Sequence, residues 1–273
     1  MQQATGSDIE ISLNGVVISY DDFGNGALPI IFIHGFPFDK SSWKPQMDFL
    51  KTTHRVIAYD IRGFGKSTVG DEKLSITLFA DDLIHLMDML QISKAIVCGL
   101  SMGGYILLNA IYRYPQRFAA IVLAGTQCGA DRPEARSKRR KAIVDIETDG
   151  LIDFADNFIT SVFSEKFLMS ENEQTSEIKD TILNTSVNTV TQTLNALAIR
   201  WETCSTLNEI NVPTLILCGS KDVVTPPAKA KYLHTEIENS VLQIIESAGH
   251  LSNIEQPEKF NEHLFNFISD FKN

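Results

Sequence analysis

"KAIVCGLSMGGYILLNAIYRYPQRF", residues 94 to 118, joins an apolar run to a helical pattern through a single serine. Ala95 to Cys98 reads as a buried strand, and Met102 to Tyr114 reads as a helix. Ser101 stands at their junction, with Gly99 two places before it and Gly103 two places after. This is the G-x-S-x-G spacing in a strand–turn–helix setting. A sharp turn there strains the serine backbone, and side chains at the flanking positions would collide with neighbouring main chain. Gly99 and Gly103 remove those side chains, and Gly104 eases the contact between helix and sheet. A serine in this place can also simply cap the helix that follows. The motif alone leaves both readings open.

Outward from this stretch, short Val- and Ile-rich runs alternate with longer helical patterns. Strand-like runs are Val16 to Tyr20, Ile30 to His34, Val56 to Tyr59, Ala95 to Cys98, Ala120 to Ala124, Thr214 to Cys218 and Val241 to Ile245. Several are continuously apolar, as strands buried on both faces of a parallel sheet are. Helical patterns lie at about Ser42 to Leu50, Thr77 to Leu90, Met102 to Tyr114, Ala228 to Ile237 and Pro257 to Phe271. The alternation predicts an α/β fold with a mostly parallel, doubly wound sheet.

The regularity breaks between Ala124 and Thr214. "KAIVDIE", "LIDFADNFITSVF" and "TVTQTLNALAIRW" each place apolar residues at helical spacing, with no convincing strand among them. Residues 127–207 are therefore expected to form a helical cap over the carboxyl edge of the sheet, inserted before the penultimate strands. Residues 1–126 and 208–273 form the core domain. Phe154, Phe158, Phe163, Phe167 and Trp201 are read as holding the cap together rather than as a ligand box.

A serine hydroxyl becomes a nucleophile only when a base takes its proton, and that base needs an orienting carboxylate. Of the six histidines, His34 and His54 flank strands, His85 and His263 fall within helical patterns, and His234 lies near the end of another. His250 differs. "LQIIESAGHLSNIEQPEKF" sets it in the loop between the last strand and the last helix, on the sheet edge that carries Ser101. "TLILCGSKDVVTPP" sets Asp222 just past the preceding strand. Ser101, Asp222 and His250 thus occupy three strand-end loops in the chain order of a Ser–Asp–His hydrolase.

The remaining requirement is a pair of donors for a developing oxyanion. The Met102 N–H lies at a helix start, where no earlier carbonyl claims it. The second donor is expected from "IFIHGFPFD": Pro37 has no N–H, so Phe36 supplies it, and Gly35 lets the backbone approach. His34 precedes this turn and is read as fixing the loop by hydrogen bonding.

"FIHGFP", "RVIAYDIRGFGKS", "GLSMGG", "LCGSKDVVTPP" and "ESAGH" together resemble the α/β-hydrolase superfamily over nearly the whole chain, with a cap in the expected place. Within it, "GLSMGGYIL" and "NALAIRW" are similar to the branch containing enol-lactonases and small esterases. Members that are haloalkane dehalogenases or epoxide hydrolases carry Asp at the nucleophile position. Ser101 stands there in this chain, which disfavours both chemistries. The resemblance implies a serine hydrolase of a small carboxylic ester or lactone. Carbon–carbon bond hydrolysis, acyl transfer and perhydrolysis on the same triad stay open, as does a receptor that turns over little.

Composition narrows the partners. A formal net charge of −10 argues against nucleic acid and anionic membranes, which need a concentrated basic surface. The basic run Lys138 to Lys141 reads as a solvated helix face. The amino terminus shows no signal-peptide pattern, and no apolar run approaches the ~20 residues of a membrane span. Cys98, Cys128, Cys204 and Cys218 are widely spaced without a CxxC pair, so all four are expected to be reduced and the protein cytoplasmic. "RGFGKS" fails the P-loop pattern because Asp60 stands where glycine is required. Asp81 and His85 share a helix face, but no further ligands cluster with them. The expectation is a small-molecule substrate, with no cofactor and no metal.

Overall fold

The computed structural model describes residues 5–170, 172–269 and 271. Among these, the apolar runs form β1 (Gly6–Leu13), β2 (Val16–Phe23), β3 (Ile30–Ile33), β4 (Val56–Tyr59), β5 (Ala95–Leu100), β6 (Phe118–Ala124), β7 (Thr214–Gly219) and β8 (Ser240–Ile245). They pair in the order β1-β2-β4-β3-β5-β6-β7-β8. All pairings are parallel from β4 onward, whereas β1–β2 and β2–β4 are antiparallel. Every residue of β3, β4, β5 and β7 is buried, as expected of strands covered on both faces.

The helices are α1 (Lys44–Leu50), α2 (Ile76–Met89), α3 (Met102–Arg113), α4 (Pro133–Asp149), α5 (Ile152–Val162), α6 (Glu165–Leu168), α7 (Glu173–Asn184), α8 (Val187–Ile199), α9 (Pro227–Glu236), α10 (Ser252–Glu255) and α11 (Pro257–Ile268). Successive strand residues face opposite sides of the sheet, so two apolar layers arise. Ile31, Ile33, Val97 and Leu123 pack with Leu83, Met87 and Ile106 on one side. Ile30, Phe32, Ile96 and Val122 pack with Trp43, Leu50 and Phe260 on the other.

From β3 the chain moves outward to β4, then returns across β3 to build β5 on its other flank. This reversal opens a crevice at the carboxyl ends of β3 and β5, where ligands of open α/β sheets bind. The loop of Phe36 follows β3 and Ser101 follows β5, so both lie at that crevice.

β1 departs from the strand expectation, which began at Val16. Its outer residues are exposed or half-buried and largely polar, so it carries no apolar run. A two-residue turn at Asn14–Gly15, with φ of 46° and 74°, folds it back on β2. Between β6 and β7 lie α4 to α8, of which α6 and α7 fall outside the three expected helical stretches. Within this insertion α4 packs on α8 and α5 on α7. Among the described residues no helix is long and apolar enough to cross a membrane.

The cysteine expectation is corrected. Cys98 and Cys218 are free and buried, but Cys128 and Cys204 form a disulfide. They are 76 residues apart, and their α-carbons come within 4.8 Å because the chain leaves and re-enters the core at one place. The Thr203 N–H donates to the Cys128 carbonyl at 2.9 Å, joining the two crossings. Spacing along the chain carries no trace of this convergence. The argument for a reducing compartment rested on four thiols, and it falls with the pair.

The same junction holds a charged clasp. Arg200 Nη1 meets Asp131 at 2.6 Å, Arg139 Nε meets the other oxygen at 2.6 Å, and Arg200 Nη2 donates to the Gly129 carbonyl at 2.8 Å. Burial pushes the Asp131 carboxyl up, but the two guanidinium groups outweigh it and hold the acid below its ordinary value. Trp201 lies against Tyr112 of α3 and is 42% exposed, so it is not part of the insertion's interior.

Candidate active site

Ser101 has φ 53° and ψ −111°, a conformation that a non-glycine residue rarely adopts. Its N–H donates to the Ala124 carbonyl at the end of β6 (2.9 Å). Its own carbonyl accepts from Gly104 N–H (2.9 Å) and from the Thr126 hydroxyl (2.8 Å). The flanking glycines are required for space. A methyl on Gly99 would lie 2.4 Å from the Gly103 carbonyl, and one on Gly103 would lie 2.3 Å from the Ile33 carbonyl. Ser101 does not cap α3 with its side chain, and it keeps part of its surface open among buried neighbours.

Asp222 and His250 are both buried, and His250 Nδ1 lies 2.8 Å from Asp222 Oδ2. Asp222 Oδ1 accepts from the N–H groups of Val224 and Thr225, both at 2.8 Å. The Thr225 hydroxyl donates to Oδ2 at 2.7 Å. Burial pushes the Asp222 carboxyl up, but the His250 charge and these hydrogen bonds outweigh it and hold the acid below the ordinary carboxylate value. The carboxylate can therefore fix the Nδ1–H tautomer and leave Nε2 free to take a proton.

The imidazole lies against the end of β6. Gly125 follows the Ala124 carbonyl that holds Ser101, and a methyl on Gly125 would lie 3.3 Å from His250 Cε1 and Nδ1. On the other flank, a methyl on Gly35 would lie 3.3 Å from Ser101 Cβ. The loop after β3 and the turn after β5 are thus in contact. The N–H groups of Phe36 and Met102 have no acceptor among the described residues.

His34 has both ring nitrogens engaged: Nε2 accepts from Ile61 N–H at 3.0 Å, and Nδ1–H donates to the Gly35 carbonyl at 2.8 Å. It is fully buried, which lowers its pKa and keeps it neutral. It fixes the Phe36 loop, as the sequence suggested. Phe154 and Phe158 of α5 close over that loop, with ring centroids 6.2 and 6.0 Å from Phe36. Phe163 and Phe167 instead stack on each other at 4.9 Å.

The motifs set aside are accounted for. The turn of "RGFGKS" wraps the Asp60 carboxylate, which accepts from Lys66 N–H at 2.9 Å and pairs with Lys40 at 2.8 Å. Asp81 pairs with Arg113 at 2.7 Å, while His85 meets Asn14. Among the described residues no group of three or more His, Cys, Asp or Glu could hold a metal ion.

Sequence reasoning missed Thr225, Thr126 and Gly125. Thr225 lies three residues past Asp222 in "DVVT", at the spacing of a side chain that bonds back to the acid, and that signal was available. Thr126 and Gly125 act through tertiary neighbours, which no local pattern reveals.

Comparison with known proteins agrees with this fold. The family model described as alpha/beta hydrolase fold matches residues 29–257. The chain is 30% identical over 267 residues to 3-oxoadipate enol-lactonase 1 of Acinetobacter baylyi, covering 98% of this chain and 95% of that protein. Among solved structures, a thermophilic esterase from Thermogutta terrifontis superposes with a TM-score of 0.91 at 30% identity, over 96% of this chain and 98% of the esterase. The enol-lactonase from Burkholderia xenovorans superposes with a TM-score of 0.88 at 27% identity, over 96% and 100%. By its strand order, its elbow after β5 and its match over most of its length, the chain belongs to the α/β-hydrolase fold family.

Proposed function

We propose that the protein is a serine hydrolase that cleaves a small carboxylic ester or lactone through an acyl-enzyme, with residues 127–207 acting as a cap over the site. The observation that carries this reading is the junction at the end of β6. Strained Ser101 hangs on the Ala124 carbonyl there, and the Asp222-bonded His250 ring lies against the next residue, Gly125. Relatives named as enol-lactonases and as an esterase support an enzyme acting on ester bonds.

In this scheme Ser101 Oγ attacks the carbonyl carbon while His250 Nε2 takes its proton. Asp222 stabilises the resulting imidazolium. The oxyanion accepts from the N–H groups of Phe36 and Met102. The tetrahedral species collapses, and His250 returns the proton to the leaving oxygen. In a lactone that oxygen stays tethered, so the acyl-enzyme already carries the future hydroxyl or ketone. His250 then deprotonates water, which attacks the ester carbon and restores Ser101.

The Phe36, Phe154 and Phe158 rings line the loop beside the serine, which favours short, mostly apolar acyl parts over long-chain triglycerides.

The test combines a fluorophosphonate with two variants. The reagent forms a P–O bond to the nucleophilic serine and releases fluoride, and it is expected to label Ser101 alone. Ser101→Ala should lose turnover of p-nitrophenyl esters by roughly 10⁶-fold. Asp222→Asn should lose about 10⁴-fold, since an amide permits the wrong tautomer. Labelling of another serine, or near-normal turnover in either variant, overturns the assignment.

A further inference from the structure

We propose that Glu255 is a positioning residue for the general base: its carboxylate ties the end of α5 to the main chain of His250. The proposal rests on the assignment of Ser101, Asp222 and His250 as the catalytic groups.

Asp222 fixes the His250 ring, but the main chain that carries the ring is held by the insertion. The N–H groups of His250 and Leu251 both donate to the Val162 carbonyl, at 2.8 and 3.2 Å. Val162 is the last residue of α5. Five residues after His250, Glu255 turns its carboxylate back into the same junction. Oε1 accepts from Gly249 N–H at 2.8 Å and from Ser164 N–H at 3.2 Å, and Oε2 accepts from the Ser164 hydroxyl at 2.6 Å.

Glu255 is only 8% exposed, and no cation pairs with it among the described residues. A buried carboxylate without a counter-ion is costly, so its hydrogen bonds must be satisfied. Burial pushes its pKa up and the nearby Asp222 charge adds to this, while the Ser164 and Gly249 donors oppose the rise. The junction has no slack. A methyl on Gly249 would lie 2.6 Å from Glu255 Oε1 and 2.7 Å from Ser164 N.

The position of this clamp gives it a function. α5 rests Phe154 and Phe158 on Phe36, in the loop that offers the oxyanion donor, and its far end holds His250. It is a strut between two parts of the catalytic apparatus, and Glu255 with Ser164 secures one end. A displacement near 1 Å in such an arrangement costs roughly 10²-fold in rate.

The test measures p-nitrophenyl butyrate turnover, fluorophosphonate labelling of Ser101 and thermal unfolding for wild type, Glu255→Gln, Ser164→Ala and the double variant. Glu255→Gln keeps the shape but turns an amide donor toward the Ser164 and Gly249 donors. We expect kcat and the labelling rate to fall together, by on the order of 10- to 100-fold, with KM changed by about twofold or less. Ser164→Ala should fall in the same direction by several-fold, and the double variant by less than the product of the singles. Should Glu255→Gln fail to fold, Ser164→Ala carries the test, because it leaves the Gly249 bond in place. Wild-type protein unlabelled at Ser101 overturns the hydrolase reading itself. Labelled wild type, with unchanged kcat and labelling rate in the folded variants, overturns the positioning role alone.

Discussion

Gly125 abuts the imidazole of His250: a methyl on Gly125 would approach Nδ1 and Cε1 to 3.3 Å. Gly125 also has φ 50°, where a side chain is strained. Gly125→Ala should therefore push the ring off its bond to Asp222. Its kcat should drop on the order of 10- to 100-fold, with a modest loss of thermal stability. Steady-state kinetics beside a melting curve checks this, and an unchanged kcat would refute the contact's importance.

Phe158 stands over the loop after β3, with its ring 6.0 Å from Phe36 and 5.8 Å from Phe38. On the proposed reading, Phe158→Ala opens space for the acyl group. The optimum acyl length should shift upward by two carbons or so, at roughly 0.8 kcal/mol of transfer energy per CH₂. Measuring kcat/KM from p-nitrophenyl acetate to octanoate tests it, and an unaltered profile would place the pocket elsewhere.

His34 gives a pH signature. Above the ordinary imidazole value both folded and unfolded chains keep it neutral. Below that value the unfolded chain takes a proton that the buried ring refuses, so stability falls as pH drops. The window runs from the ordinary value down to the depressed folded value, with a slope of up to ~1.4 kcal/mol per pH unit. His34→Gln, which can accept from Ile61 N–H and donate to Gly35, should lose this slope. Urea unfolding between pH 5 and pH 7 compares the two proteins, and equal slopes would count against it.

The Cys128–Cys204 bridge closes a long loop, its ends 76 positions apart in the sequence. On the loop-entropy account such a cross-link stabilises the fold by roughly 4 kcal/mol. Wild type should unfold at lower denaturant after reduction, whereas Cys204→Ser should be indifferent to reductant. Intact-mass measurement after alkylation shows whether two thiols or four react in the unfolded chain.

The places of the candidate site residues that follow sheet strands were legible in the sequence, because the parallel strands deliver their loops to one edge. Ser101, Asp222 and His250 each sit just past an apolar run, and the runs themselves mark the edge. β1 was not legible, since a half-exposed edge strand such as Gly6–Leu13 lacks the continuous apolar signal. The Asn14–Gly15 turn was the available cue. The disulfide and the Val162–His250 bond were hidden for another reason. Each joins the insertion to the core across distances that no periodicity encodes.

Arg200 and Cys204 on one side, and Asp131 and Cys128 on the other, fasten the two chain crossings at a single neck. That neck makes residues 129–203 a natural unit for transplantation between relatives. On the proposed cap role, a foreign segment spliced at the neck would bring its own walls for the substrate. It would also remove the carbonyl of Val162 that seats His250. A working chimera must therefore import a matching carbonyl, so swapping the segment here also means rebuilding a support for the proposed base, His250.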